Sequence, residues 1–546
     1  MITMHHSEPL PHDHIDPKPD MWVQEEIFGH RFVADQLPFM LVLEALSVCR
    51  SDQIDIQSGE IYPDTRIFIH EKAKPDYHEN LRITVPKQGP LRYLLFAAKA
   101  ITEIREDRPY LSENELFDHW IQEINEGYRN AVKKTGVDTF SYLKKRFSSY
   151  CDCTSMLEQA IKILKGLQID ALNNRRWTSK FLVPNGPHLL FHDMDGRMSV
   201  DRRFFGRGGE MVYLMLNRSQ HAKKLAPLIH RIFFPDDNQL NRIAKLLSCY
   251  DSNAHFQSNI GYLPLLNHPS YDRLAEDWIA ILDIPGTDPA QALRPLSDMT
   301  ALNLVCYFIE RAGEILGNGL SNETFKVIPL DVSDGGNRKL RSIAKEYLKR
   351  IKNIIDQAVV QHIHHKIEKT SQWRNLPDTP KAESRSNLAR EAIIEAFNSK
   401  KITIDDSVIR SPEEWRDHFV NMALKRTHNQ TSRLIEPLGK HAGFITGRRS
   451  IGTWLNASDE FLESMVLANV SKPMTVWEFL DQIYRRYGLV IGPSEARSAF
   501  PGGDIDITLF EANMQELERR LQGLGFVRRL SDDVAFVFNP YDKEDI

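Results

Sequence analysis

The stretch SDEFLESMVLANVSKPMTVWEFLDQIYRRYGLVI, residues 458–491, decides the reading of the fold. Ser458 precedes Asp459 and Glu460, so a helix starting there has a hydroxyl cap and acids at the positive end of its dipole. Thr475-Val476-Trp477-Glu478 is a capping box, in which the threonine hydroxyl and the glutamate carboxylate satisfy each other's backbone N–H groups. Phe479, Leu480, Ile483, Tyr484 and Tyr487 recur at helical spacing, and Gly488 supplies the left-handed residue that commonly ends a helix. Two helices, Ser458–Val470 and Thr475–Tyr487, are therefore predicted close together. A strand Leu489–Ile491 follows, then a helix near Glu511–Gln522 and a hairpin of Phe526–Arg529 with Val534–Phe538. That order is the order of a winged helix, expected over about 456–541 within a C-terminal region 387–546.

Working outward, residues 371–386 (SQWRNLPDTPKAESRS) read as a linker. Before them, 337–367 is the longest helical pattern: Leu340, Ile343, Tyr347, Ile351, Ile354 and Ala358 make one face, and Lys345, Lys349 and Lys352 line another. Met299–Leu316 is apolar on most faces, which predicts a buried element. The pattern over 140–370 is a central helical domain, and 21–139 is a helical N-terminal domain with a buried helix at Phe39–Val48 and a possible strand at Arg66–His70. Residues 1–20, with His5, His6, His12 and His14 among prolines, read as a flexible tail. The expected fold class is mainly α: a multi-domain helical protein with a C-terminal winged-helix-like α/β module.

A chain of 546 residues exceeds what one core usually serves. Its formal charge of −5 excludes a generally basic nucleic-acid coat, so a nucleic-acid surface must be a local patch. No apolar run reaches the ~18–20 residues of a membrane span, and no signal-peptide core opens the chain. Five cysteines, of which only Cys151 and Cys153 are neighbours, fit a reducing compartment, so the expected location is cytoplasmic.

The candidate nucleic-acid contacts are Arg203, Arg207, Lys345, Lys349, Lys352, Arg485, Arg486, Arg497, Arg528 and Arg529. Arg203 and Arg207 flank the run Phe204-Phe205-Gly206-Arg207-Gly208-Gly209-Glu210, where glycines before a helix let backbone N–H groups approach an anion. A tight turn packing two phenylalanines reads the same way, and the lysine of a P-loop is missing. The lysine row on 337–367 and the arginines at 485, 486, 497, 528 and 529 are placed for phosphates, although residues 411–546 hold more acids than bases. His192-Asp193-Met194-Asp195-Gly196 reads as a turn more readily than as a cation site. His362, His364 and His365 lack a carboxylate at ligand spacing, and Pro63-Asp64 with Glu71-Lys72 misses the restriction-nuclease spacing. No catalytic residue, metal ligand or cofactor is predicted. One enzymatic pattern stays open. Gly492-Pro493-Ser494 followed by Asp504-Ile505-Asp506-Ile507 is similar to a nucleotidyltransferase, whose two aspartates alternate on a strand to hold Mg²⁺. Pro493 departs from that pattern by removing a donor N–H.

Phe28-Gly29-His30-Arg31-Phe32 with Pro38–Leu46, the segment Phe204–Leu216, and Tyr487–Gly492 with Leu530-Ser531-Asp532 and Asn539-Pro540-Tyr541 resemble proteins encoded in bacterial anti-phage defence islands. The resemblance is to accessory components of methylation-associated or phosphorothioation-linked restriction systems. It implies a multi-gene setting in which partner subunits supply ATPase, methyltransferase or nuclease activity and this chain binds double-stranded DNA or those partners. The motifs carry no assigned chemistry. A pure protein scaffold is the remaining expectation from sequence.

Overall fold

The computed structural model describes residues 19–30, 36–50, 52–55, 61–62, 68, 81–133, 138–147, 153–169, 176–195, 206–235, 238–249, 255–317, 326–333, 335–397, 409–429, 431–502, 505–529 and 535–541. The fold is mainly helical with short strands. Residues 1–18, most of Arg66–His70, the Asp64 and Glu71 segments, Arg203 and Asp504 lie outside the described residues.

The core forms around the helix Pro289–Leu316. Asp288 caps it in a capping box with Gln291, and Pro289 occupies the first turn, where its missing N–H costs nothing. From Leu296 to Gly313 every residue is buried, so this helix has no wet face. The helices Pro38–Arg50, Pro269–Leu282, Arg338–Glu368, Thr431–Ala442 and Asp459–Asn469 pack most extensively on it. Because the cover comes from both ends of the chain, one hydrophobic cluster runs from Val23 to Val537.

Two features cross the boundaries expected from sequence. A four-stranded antiparallel sheet has the order Ile61–Tyr62, Asp52–Asp55, Leu81–Pro86, His255–Asn259, and so joins the N-terminal region to residue 259. The stretch 371–386 contains the helix Ser371–Arg374 and the start of Ala382–Ala396. The Thr370 hydroxyl caps the first of these, and Trp373 and Leu376 pack on the main cluster. Its polar composition suggested a linker, but two apolar anchors in six residues fasten it down.

In the C-terminal region the caps sit where the sequence puts them. Ser458 accepts from the N–H of Phe461 and Thr475 from that of Glu478, and Gly488 ends its helix at φ +75°. From residue 456 on, the helices among the described residues are Asp459–Asn469, Val476–Tyr487, Pro493–Ala499 and Thr508–Gly523. Val527–Arg529 and Ala535–Val537 form the hairpin, and Met474–Thr475 adds a third antiparallel strand beside Ala535–Val537. Leu489–Val490 does not join that sheet. It pairs in parallel with Ile328–Pro329, which precedes the long helix. Among the described residues no helix is long and apolar enough to cross a membrane.

Candidate nucleic-acid interface

The long helix Arg338–Glu368 begins at Asn337, whose side chain accepts from the N–H groups of Lys339 and Leu340. Leu340, Ala344, Leu348, Ile351, Ile354 and Ile355 are buried against the core. The helical period then turns Arg338, Lys339, Lys345, Glu346, Lys349 and Arg350 outward, and all six are exposed. Five cations and one acid thus share one face.

A hairpin of Ile445–Arg448 with Gly452–Leu455 lies against this helix. Trp454 anchors it: the indole is fully buried and donates to Asp331 Oδ2 at 3.2 Å. The guanidinium groups of Arg341 and Arg448 lie 5.7 and 5.8 Å from the Trp454 ring centre, so both charges are held beside the hairpin by cation–π attraction. Lys345 donates to the Ile451 carbonyl at 3.1 Å and fixes the turn on the helix. Gly452 (φ +93°) leaves room for that ammonium, since a Cβ there would lie 3.1 Å from Lys345 Nζ. The tip Gly447-Arg448-Arg449-Ser450 is exposed. Arg449, Lys349 and Arg338 form no ion pair among the described residues. The nearby acid, Glu436, is engaged by Lys352 and by Lys440 at 3.4 Å. Burial pushes its carboxyl up, but the two ammonium groups outweigh burial and hold it below the usual range.

The other predicted contacts fall into three settings. Arg497 and Arg528 are exposed, the latter with its guanidinium 5.4 Å over Phe538. Arg485 is exposed but pairs with Asp481 at 2.9 Å, and Arg529 pairs with Glu518 at 2.6 Å. Arg486 points inward. It pairs with Asp277 and, at 2.7 Å, with Glu276, both on the core-covering helix Pro269–Leu282. Tyr487 also donates to Asp277, at 2.7 Å. This junction continues through Asn303 to Arg273, Glu310 and Lys326. Arg486 therefore ties the C-terminal module to the core and presents no free guanidinium for a phosphate.

The glycine-rich segment has an internal occupant. Arg207 adopts φ +80° and the helix Gly208–Arg218 follows. The backbone N–H groups of Arg207 and Gly209 donate to Glu44 at 3.1 and 2.7 Å. A Cβ on Gly209 would lie 2.3 Å from Glu44 Cβ and 2.6 Å from the Leu41 carbonyl. The glycines thus serve the close crossing of Gly208–Arg218 with Pro38–Arg50, and the helix start already holds a carboxylate.

Asp506 sits in the turn before Thr508–Gly523, where its carboxylate accepts from the Thr508 N–H at 3.1 Å and hydroxyl at 2.6 Å. Residues 505–507 are not a strand, so the alternation needed for a two-aspartate Mg²⁺ site is not formed there. Asp193 and His192 are buried beside the buried Arg92, which packs against Phe191 at 4.5 Å. His362 bonds to Glu26 at 2.9 Å, on the helix Pro19–Phe28. Among the described residues no group of three or more His, Cys, Asp or Glu side chains is placed to hold a metal ion.

Sequence reading missed the hairpin. Its signal was present in Thr446-Gly-Arg-Arg-Ser-Ile-Gly-Thr453, two arginines between glycines and β-formers. No family model and no curated protein matches the chain.

Proposed function

We propose that this chain is a non-catalytic subunit that binds double-stranded DNA through the exposed cations of the long helix and the 445–455 hairpin. The observation that carries the reading is the concentration of Arg338, Lys339, Lys345, Lys349, Arg350, Arg448 and Arg449 on one surface of a molecule whose net charge is −5. A cationic helix face flanked by a basic hairpin suits a phosphate backbone, which offers a regular row of negative charge and needs no base readout. The C-terminal region supports the same reading. Its three-stranded sheet, with Met474–Thr475 beside the closing hairpin and helices Val476–Tyr487 and Thr508–Gly523 between them, follows winged-helix order. Arg497 and Arg528 are among its exposed cations. The engagement of Arg486 with the core favours a module that is held in place and extends the cationic surface. The sequence resemblance to defence-island proteins supports a setting in which partner ATPase, methyltransferase or nuclease subunits do the chemistry.

The test is a fluorescence-anisotropy titration of a short duplex between about 50 and 200 mM salt. Binding should weaken steeply with salt, and the triple variant Lys345→Glu, Lys349→Glu, Arg449→Glu should bind at least about tenfold more weakly. Duplex binding untouched by that variant, or no duplex binding at all, refutes the assignment.

A further inference from the structure

The same long helix borders a cavity of about 800 Å³. Arg338, Lys339, Ser342, Ile343, Glu346 and Tyr347 form one wall, and Phe500, Gly502, Ile505, Asp506 and Leu509 form the other. This volume is in the range of small-ligand sites. The wall is graded in chemistry. Arg338 and Lys339 occupy the first turn, and Tyr347 lies about two turns on, roughly 12 Å along the axis. Tyr347 meets Phe500 edge to face with ring centres 5.5 Å apart, so aromatic surface closes the far end.

Three observations narrow the ligand. The helix-start N–H groups of Lys339 and Leu340 are already bonded to Asn337, so an anion at this end is met by the Arg338 and Lys339 side chains. Lys339 also acts on Asp506, and Glu346 lines the wall, so the cavity carries both signs of charge. The Thr508 bonds both fall on Asp506 Oδ1 and leave Oδ2 to accept, so a ligand with an anionic end and N–H or O–H donors meets the cations and the carboxylates together, which a bare anion does not. The Tyr347–Phe500 end offers ring surface to a flat heterocycle.

We infer that this cavity binds one nucleoside phosphate, with the phosphate on Arg338 and Lys339, sugar or base donors on Asp506 and Glu346, and the base against Tyr347 and Phe500. The ligand can be a free nucleotide or the phosphorylated end of a single strand. The cavity shares Arg338 and Lys339 with the proposed duplex surface, whereas Lys345, Lys349 and Arg449, which the duplex variant reverses, do not line it.

Equilibrium dialysis of the full chain against each of the four ribonucleoside 5′-monophosphates, the matching nucleosides and inorganic phosphate tests it. At least one monophosphate should bind more than about tenfold tighter than its nucleoside or phosphate alone. The double variant Arg338→Ala, Lys339→Ala should abolish the advantage of the monophosphate over the nucleoside. Tyr347→Leu, and separately Phe500→Leu, should weaken nucleotide and nucleoside alike, and Phe500→Leu should leave duplex affinity unchanged. Displacement of the nucleotide by a 5′-phosphorylated single strand, but not by its 5′-hydroxyl form, assigns the ligand to a strand end. Failure of both strands to displace it assigns the ligand to the free pool. The inference is overturned if no monophosphate outbinds phosphate, or if variants with unaltered thermal melts bind nucleotide as the unaltered chain does. Either result can occur whether or not the duplex titration succeeds.

Discussion

Two helix starts in this molecule have nearly the same sequence credentials and opposite fates. At Arg207–Glu210, glycines and an arginine precede a helix whose free N–H groups are met by Glu44 from Pro38–Arg50. At Asn337–Leu340, the cap is local, Asn337 serving its own helix, and Arg338 and Lys339 stay exposed. The first start is a joint between two helices, and the second is an open surface. The difference lies in what packs on them: glycine at 208 and 209 admits a neighbouring backbone, whereas long side chains at 338 and 339 keep a neighbour away. Basic residues near a helix start therefore indicate a ligand surface only when the start is not itself a packing contact.

The largest expected effect contrasts adjacent arginines. Arg486→Ala strands Asp277, fully buried, without its cation and should cost about 3–5 kcal/mol in urea denaturation. Arg485→Ala removes only an exposed helix pair and should cost no more than about 0.5 kcal/mol. Equal costs would break the distinction between inward and outward charge. Next, Gly209→Ala should destabilise by about 1–3 kcal/mol, because its Cβ meets Glu44 and Leu41. A neutral result would mean the two helices part easily, and Glu44 would no longer count as a fixed occupant. Smaller in stability but decisive for function, the Lys345, Lys349, Arg449 charge reversal should lower the melting temperature only slightly, through the lost Lys345–Ile451 bond. It should lower the slope of log affinity against log salt by about 3, roughly 0.9 for each phosphate that no longer meets a cation.

The pH dependence of stability gives the finest test, since two buried carboxylates on the Pro289–Leu316 helix shift in opposite directions. Burial pushes Glu310 up, but Arg273 and Lys326 outweigh it and hold the carboxyl at about 2. Its contribution is complete above the ordinary value of 4.5 and is lost as pH falls from there through about 2. Burial dominates at Asp298, which is pushed up to about 7 despite Arg294 and Ser464. There the folded state holds the extra proton, so stability should decline as pH rises from about 4 through about 7. Denaturation across pH 2–8 should show both slopes, and Asp298→Asn should remove only the upper one.

Local chemistry was the legible part of this chain. Ser458, Thr475 with Glu478, and Gly488 state their roles within four residues, and the observed helices Asp459–Asn469 and Val476–Tyr487 follow them. What stayed illegible depends on distant partners. Met474–Thr475 is two residues of strand made by pairing with Val537 and Phe536. Leu489–Val490 looks like any short apolar strand, and nothing within it names Ile328–Pro329 as its mate. The site behaved alike: the lysine row was visible as a helical period, but its neighbours Arg448 and Arg449 reach it only through Trp454 and the fold. Glu44 reads as one acid in an apolar helix until Gly209 is brought to it.

That distant pairing also sets a timetable for synthesis. Lys326 bonds to the Arg486 carbonyl 160 residues further on, beside the parallel pairing of Ile328–Pro329 with Leu489–Val490. A ribosome adding about 5–20 residues per second delivers the second partner roughly 8–32 s after the first. Throughout that interval Ile328 and Leu330, buried in the finished molecule, emerge without their cover. The core helix, completed earlier, is likewise waiting for Thr431–Ala442 and Asp459–Asn469. The growing chain thus carries an unfinished apolar seam for much of its synthesis, and a stop codon before residue 459 would leave part of the core helix uncovered.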